Sequence, residues 1–442
     1  MGRFVSPALV TLGIAGVVSL GVYLASEHPS TKHHFDQITT GLSQREIAGA
    51  IVAMLAGLHL IVVVAMADRD PSESLLSSLW SYFRSFDSTP PSGPSPNPYY
   101  EKILKGKRVL ITGASKGIGR DLALLYVLHG ARVAICARSV QGLEETRTAC
   151  IKLRRAARAA RTAKKGVDIW SSVSDEDSVV VLRYEAGQAG AGERLVQQAV
   201  EAFGRAGQHA NGANGAQNHD APTPGLDILV LNHAIAPYYR GLSKPVDIQV
   251  KDTREVTEVN YYGYVEVAAH ALPYLRASGR ERVQGAHRQF DRSQIVVVSS
   301  MAGKTPQPCT YAYSASKAAI NMHFSLMRLE IENHPNYNPF LSLTLCFLGA
   351  ITTGSYLSNA AARFPVLSGR AMAASSSDTA WNILKRGCLG DIEVTYPAGI
   401  TVGGWLWAFG GTPARVFVWF VKWAHGGEGS FGPSKEELVK ET

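Results

Sequence analysis

The sequence predicts a doubly wound α/β domain, a parallel sheet with helices on both faces, carried on two N-terminal membrane-spanning helices. Three observations predict it. Short β-branched apolar runs, such as 107–111, 132–137, 226–231 and 295–298, alternate with helix-length polar segments, the pattern of buried parallel strands joined by crossover helices. A glycine-rich turn sits between the first strand and the first helix of the domain. Two long apolar runs without internal charge occupy residues 4–25 and 47–67, each near the roughly 20 residues that cross a bilayer.

From the N-terminus, the first apolar run is too long for a signal-peptide core, and Tyr23 stands where a cleavage site wants a small residue. Asp68-Arg69-Asp70-Pro71 ends the second run abruptly. If both span, the N-terminus and the large domain share one side of the membrane. The absence of an Asn-x-Ser/Thr sequon leans toward a cytosolic face for that domain. Residues 1–70 therefore form a membrane anchor, and 71–99, rich in serine and proline, a stiff tether. The catalytic domain is expected over 100–395.

The next segments carry a dinucleotide site by layout. Residues 107–111 lead into Thr112-Gly113-Ala114-Ser115-Lys116-Gly117-Ile118-Gly119 and then a helix. Glycines let the backbone approach a pyrophosphate, whose charge the helix N-terminus favours. The second strand ends in Arg138, where an acid would hold a ribose hydroxyl and an arginine can instead clamp a 2′-phosphate. Lys116 and Arg138 together point to NADP(H) rather than NAD(H).

The 442-residue chain has a net charge of +8, but 152–165 alone carries seven basic residues and no acid. Their helical spacing reads as a solvated basic helix extension, and nothing has the aromatic interleaving of a nucleic-acid groove. Five cysteines, an odd number without a C-x-x-C pair, exclude a disulfide scaffold and a zinc site as expectations, and His209 and His219 lack ligand spacing. No metal site is expected.

Farther along, a buried strand ends in Asn232-His233-Ala234, where an amide can brace its neighbours. Asn260 falls inside the following helix, where asparagine either kinks the helix and holds water or sits at a cost. The run 295–298 delivers Ser300 to a strand's carboxyl end, and Tyr313-Ser314-Ala315-Ser316-Lys317 follows. Four-residue spacing puts phenol and ammonium on one helix face. The ammonium favours the phenolate, so the tyrosine can exchange a proton well below its ordinary pKa of about 10. Ser300 could hydrogen-bond the same substrate oxygen.

T-G-A-S-K-G-I-G, N-H-A, Asn260, S-S-M-A-G-K and Y-S-A-S-K, in this order and spacing, resemble the short-chain dehydrogenase/reductase family over about 107–353. Phrases such as L-D-I-L-V-L-N-H, V-N-Y-Y-G-Y-V and V-V-V-S-S-M-A-G-K are similar to its membrane-anchored 11β-hydroxysteroid dehydrogenase branch. The resemblance implies a Rossmann fold and NADP(H)-dependent interconversion of a ketone and a secondary alcohol. Tyr313 would be the proton donor or acceptor, Lys317 would tune it and hold the nicotinamide ribose, Ser300 would orient the carbonyl, and Asn260 would support a water relay to Lys317. Gly113, Ser115, Lys116, Gly117, Ile118 and Gly119 would surround the phosphates, Arg138 the 2′-phosphate, Asn232 the adenosine side, and Ile351 and Thr353 the nicotinamide end. It also implies a lipophilic substrate, first a steroid, a homodimer, and an endoplasmic-reticulum membrane.

This chain departs from that pattern in its two-span anchor, in extra residues at 152–177, 205–224 and 279–292, and in Glu185 where many relatives carry aspartate. Residues 396–442 hold an apolar aromatic stretch, read either as a dimer contact or as a membrane-dipping substrate lid, and a polar tail. Two other readings stay open. One is a 3-ketodihydrosphingosine reductase. The other is a membrane-tethered lipid-binding protein that keeps the fold without turnover.

Overall fold

The computed structural model describes residues 97–165, 174–210, 225–236, 245–285, 292–307, 310–353 and 374–396. The predicted spans at 4–25 and 47–67 and the apolar stretch near the C-terminus lie outside them. Among the described residues no helix is long and apolar enough to cross a membrane.

The β-branched runs form strands β1 (Arg108–Thr112), β2 (Arg132–Ala137), β3 (Val179–Arg183), β4 (Ile228–Leu231), β5 (Ser293–Ser300) and β6 (Leu341–Leu348). A short ribbon, β7 (Ile351–Thr352) with β8 (Ala374–Ser375), follows, and β9 (Glu393–Tyr396) closes the series. Seven strands make one parallel sheet in the order β3-β2-β1-β4-β5-β6-β9. The chain winds outward from β1 to β3 and then returns to build β4 onward on β1's other side. The order therefore switches between β1 and β4, the crevice where ligands of open α/β sheets bind.

Helices α1 (Pro98–Leu104), α2 (Gly117–Leu128), α3 (Val140–Lys165) and α8 (Ser376–Leu389) belong with one face of the sheet. The other is covered by α4 (Ala191–Ala210), α6 (Gly263–Gly285) and α7 (Tyr311–Asn333); α5 (Val246–Val256) leads into α6. Strand side chains alternate between the layers: Val109, Ile111, Val133 and Ile135 enter one core, and Leu110, Ala134 and Cys136 the other. With both faces covered, the strands read as continuous apolar runs. Cys136, Cys150, Cys346 and Cys388 are free thiols buried in these layers.

Beneath the sheet, at the opening residues of β1 and β4, the carboxylate of Asp227 is fully buried. It accepts from Arg108 Nε at 2.9 Å and the Arg108 backbone N–H at 2.8 Å, and from Arg282 Nε at 2.9 Å and Nη2 at 3.1 Å.

The basic run departs from the solvated extension expected of it. Arg154 is buried, and Arg154 and Arg158 pair with Asp175 at 3.1 and 2.9 Å, while Arg155 pairs with Glu176. The acids arrive from the segment before β3, so two carboxylates from within the chain offset part of the charge on this face, while Arg155 stays exposed.

Candidate active site

The glycine-rich turn is shaped by what its residues lack. Gly113 (φ +70°) and Gly117 (φ +57°) adopt left-handed backbone that favours glycine. A Cβ on Gly119 would lie 2.3 Å from the Gly113 carbonyl oxygen and 2.6 Å from Asn232 Nδ2, so the turn closes only with hydrogen there. Ile118, partly buried, packs against the core at the base of α2. Lys116 precedes α2 without a side-chain cap, and no acid occupies the first turn, which leaves the helix's N-terminal amides to an external anion. Lys116 and Arg138 are exposed, Ser115 is partly buried, and Gly142 of α3 packs against Ser115. These residues fit a dinucleotide: a cradle that a Cβ would fill, an uncapped helix start and two free-standing cations at its rim.

Asn232 braces this turn as its position suggested. Its Nδ2 donates to the carbonyls of Thr112 and Gly113, both at 3.2 Å. Thr353, after β7, brings its methyl within reach of Gly117: a Cβ there would be 3.3 Å from Thr353 Cγ2. Ile351 is buried in the adjoining core.

Sequence reasoning missed the next residue. His233 is buried between the rings of Tyr184 and Tyr264, with centroids at 5.4 and 4.7 Å. Its Nε2 lies 3.0 Å from the Val259 carbonyl oxygen, which can only accept, so Nε2 carries the proton. Burial lowers its pKa to about 3, opposed by the Val259 bond and aided by the charge of Lys317. The ring is therefore neutral, and Nδ1 accepts the Thr112 hydroxyl at 2.9 Å. The only signal for it was a histidine following Asn232 at a strand end.

Asn260 resolves the choice its helix position posed, because the helix widens into a π turn over Thr257–Tyr262. Asn260 is fully buried and clasps Ile235, accepting its N–H at 2.8 Å and donating to its carbonyl at 2.9 Å. Its amide also donates to Ser316 Oγ at 3.1 Å, tying the π turn to α7.

Ser300 ends β5, its Oγ accepting from the Ala302 N–H at 3.1 Å and donating to the Leu348 carbonyl at 3.2 Å. Tyr313 and Lys317 sit in the first two turns of α7, with Lys317 Nζ 5.8 Å from the Tyr313 ring centroid. The short turn Met301–Gly303 brings strand and helix together: a Cβ on Gly303 would be 2.6 Å from the Lys317 carbonyl carbon and from Asn321 Nδ2. Ser299 donates to Asn321 across the same contact. Lys317, 2% exposed, donates to the Val298 carbonyl at 3.1 Å, and burial brings its pKa down to about 7. Tyr264, unremarked in the sequence, donates its hydroxyl to the same oxygen at 3.0 Å. One end of the sheet thus gathers a hydroxyl, a phenol and a tunable ammonium beside an anion cradle.

The sequence matches the family described as short chain dehydrogenase over residues 107–175 and 154–353. It is 30% identical to a hydroxysteroid 11-beta-dehydrogenase 1-like protein of Xenopus tropicalis over 299 residues, 67% of this chain and 80% of that protein. A Gallus gallus protein of the same name is also 30% identical, over 295 residues, 66% of this chain and 79% of its own. Among solved structures, levodione reductase aligns with a TM-score of 0.48 at 16% identity, covering 67% of this chain and 97% of its own. A 3-ketoacyl-(acyl-carrier-protein) reductase from Brucella melitensis aligns with a TM-score of 0.48 at 17% identity, covering 66% and 97%. With the seven-stranded parallel sheet, the glycine cradle and the Ser300, Tyr313 and Lys317 grouping already in hand, the chain belongs to the short-chain dehydrogenase family of oxidoreductases, whose members use NAD(P)(H).

Proposed function

We propose that this protein interconverts a ketone and a secondary alcohol on a lipophilic substrate, with NADP(H) as the redox partner and a steroid as the first substrate class. The observation that carries the reading is the junction of β5 with α7, where Lys317 and Gly303 hold the Tyr313 helix against the strand that ends in Ser300. Hydride is supplied or accepted by the nicotinamide when it is bound. Tyr313 Oη gives or takes the proton at the substrate oxygen, and Ser300 Oγ donates a hydrogen bond to that oxygen. Lys317 stabilises the phenolate and reaches the ribose, and Asn260 steadies the helix on which both act. Gly113, Ser115, Gly117, Ile118 and Gly119 receive the pyrophosphate, Lys116 and Arg138 a 2′-phosphate, Asn232 the adenosine half, and Ile351 and Thr353 the nicotinamide half. The names of the hydroxysteroid relatives support the steroid class.

The apolar runs at 4–25 and 47–67 support a membrane anchor, for which the hydroxysteroid resemblance suggests the endoplasmic reticulum and the lack of an Asn-x-Ser/Thr sequon a cytosolic face for the domain. A homodimer goes with this reading. Met322, Leu326 and Leu329 stand exposed along one stripe of α7, with Met322 65% exposed. Sedimentation in detergent tests it: Leu326→Arg should convert a dimer to a monomer, and a wild-type monomer would overturn it.

The test of function is NADPH oxidation by detergent-solubilised protein with an 11-keto steroid and with 3-ketodihydrosphingosine, each against Tyr313→Phe. Steroid turnover lost in the variant while NADPH still binds is the expected result. Sphingoid turnover alone would replace the steroid assignment, and failure to bind NADPH would overturn the enzyme reading.

A further inference from the structure

In a regular α-helix the Gly263 N–H would bond the Val259 carbonyl, four residues back. Here it reaches the Glu258 carbonyl, five residues back, and so defines the π turn. The Val259 oxygen, moved off Gly263 by that shift, accepts from His233 Nε2 at 3.0 Å. A Cβ on Gly263 would stand 2.8 Å from the same nitrogen, so the histidine and the missing side chain at Gly263 occupy complementary space. On its far side the imidazole is bonded by Thr112, whose Oγ1 also accepts the Asn232 N–H at 2.9 Å. The next residue after Val259 is Asn260, whose amide reaches Ile235 and Ser316, one residue before Lys317. A continuous line of bonds thus runs from the base of the glycine cradle, through one imidazole, to the helix of Tyr313 and Lys317.

We propose that His233 is a positioning residue, whose imidazole, held between Thr112 Oγ1 and the Val259 carbonyl, stabilises the π turn that presents Asn260 to α7. The inference rests on the proposed function for its effect on turnover, but not for its effect on the turn. An imidazole suits the place because it offers an acceptor and a donor on opposite edges of a rigid ring. Tyr184, Tyr264 and Lys317 are the titratable groups around it, and the two tyrosine rings confine its plane.

The experiment compares wild type, His233→Phe, which keeps a ring without either bond, and His233→Gln, which keeps a donor, in the full-length solubilised protein. Hydrogen–deuterium exchange reads the turn directly. In His233→Phe the amides of 257–263 and of Ile235 should exchange roughly tenfold faster or more, while the strands stay protected. NADPH affinity should hold within about threefold, and kcat for the reducible ketone should fall about tenfold or more with KM little changed. His233→Gln should recover most of both losses. Unchanged exchange in the turn, loss of protection spread evenly over the sheet, or no recovery with glutamine would each overturn the proposal. Should His233→Phe fail to fold, Thr112→Val removes the bond to Nδ1 together with those the same oxygen accepts from the Asn232 and His233 backbone N–H groups, and the 257–263 amides, remote from those two, are expected to loosen as well. A wild type without turnover on any ketone would sink the proposed function, and the exchange measurement would still decide the role of His233.

Discussion

Lys317 drives its ammonium into the core and donates to the backbone oxygen of Val298 at 3.1 Å, two residues before Ser300 on the same strand. The Tyr264 hydroxyl meets that oxygen from another side, and the Tyr264 and Tyr313 rings lie 5.1 and 5.8 Å from Nζ. The contact fixes the register of α7 on β5 and so sets where Tyr313 stands relative to Ser300. It does so at a cost, because a buried ammonium gives up its hydration for a carbonyl and two ring faces.

That cost is measurable. Burial lowers the folded-state pKa of Lys317 from 10.5 to about 7. Between those values the unfolded chain binds more protons than the folded one, so stability from this group rises with pH from about 7 to 10.5 and is flat below 7. Lys317→Met fills similar space without the charge. It should abolish turnover yet raise the apo-protein's stability near pH 6 by about 1–3 kcal/mol, and remove the rise in stability above pH 7. A urea midpoint that falls in the variant would show that the lysine is a net structural support instead.

Gly119→Ala should separate the cradle from the rest of the fold. The added Cβ would meet the Gly113 carbonyl oxygen at 2.3 Å and its carbon at 2.9 Å, backbone atoms that cannot swing aside, so the turn must open. NADPH affinity should fall roughly 100-fold or more, with a loss of about 1–3 kcal/mol in stability. Gly106→Ala is the control. Its φ is +73° but nothing lies within 4 Å of the added atom, so it should cost about 1 kcal/mol and leave NADPH binding unchanged. Calorimetric titration with NADPH reads both.

Arg138 stands exposed beyond the end of β2, and no acid follows it in the next turn of sequence. If it receives the 2′-phosphate, Arg138→Ala should weaken NADPH by about 10–100-fold and leave NADH within about twofold. Equal losses for both nucleotides would assign the arginine to the shared pyrophosphate, and no loss would leave the preference to Lys116.

The parts of this molecule legible in its sequence are those written in neighbouring residues. Buried parallel strands announce themselves as β-branched runs, the cradle as glycines at the end of β1, and the Tyr313 and Lys317 pair as a helical spacing. Asn260 in mid-helix pointed to an irregularity, though not to its π form. What stayed hidden depends on partners far apart in the chain. Val298 as the acceptor for Lys317 is a backbone atom and carries no side-chain signal. His233 reads as a strand-end residue until Thr112 and Val259 close around it, and Tyr264 as an ordinary core aromatic until its hydroxyl meets the Val298 carbonyl. The basic face of α3 seemed destined for solvent because Asp175, the partner of Arg154, arrives 21 residues later from a different element.

Asp227 is the clearest case of such a hidden partner, since its two arginines lie 119 and 55 residues away and its own run reads as plain strand. Burial by itself would raise this carboxyl. The Arg108 hydrogen bonds and the charges of Arg282 and Arg108 overcome that and hold its pKa at about 2. The folded state therefore keeps the carboxylate where the unfolded chain, near 3.8, has begun to bind a proton. The stabilisation is complete above pH 3.8 and is lost as pH falls toward 2, an amount of about 2–3 kcal/mol. Asp227→Asn leaves Arg108 and Arg282 without their shared anion at the sheet's lower edge and should destabilise by about 3–5 kcal/mol at neutral pH. Urea unfolding near pH 5 and near pH 2.5 separates the two effects: wild type should weaken between them, and the asparagine variant should lose the share that belongs to this group. A variant as stable as wild type would mean that the arginines find water when the charge is gone, and that the cluster contributes nothing to holding β1 against β4.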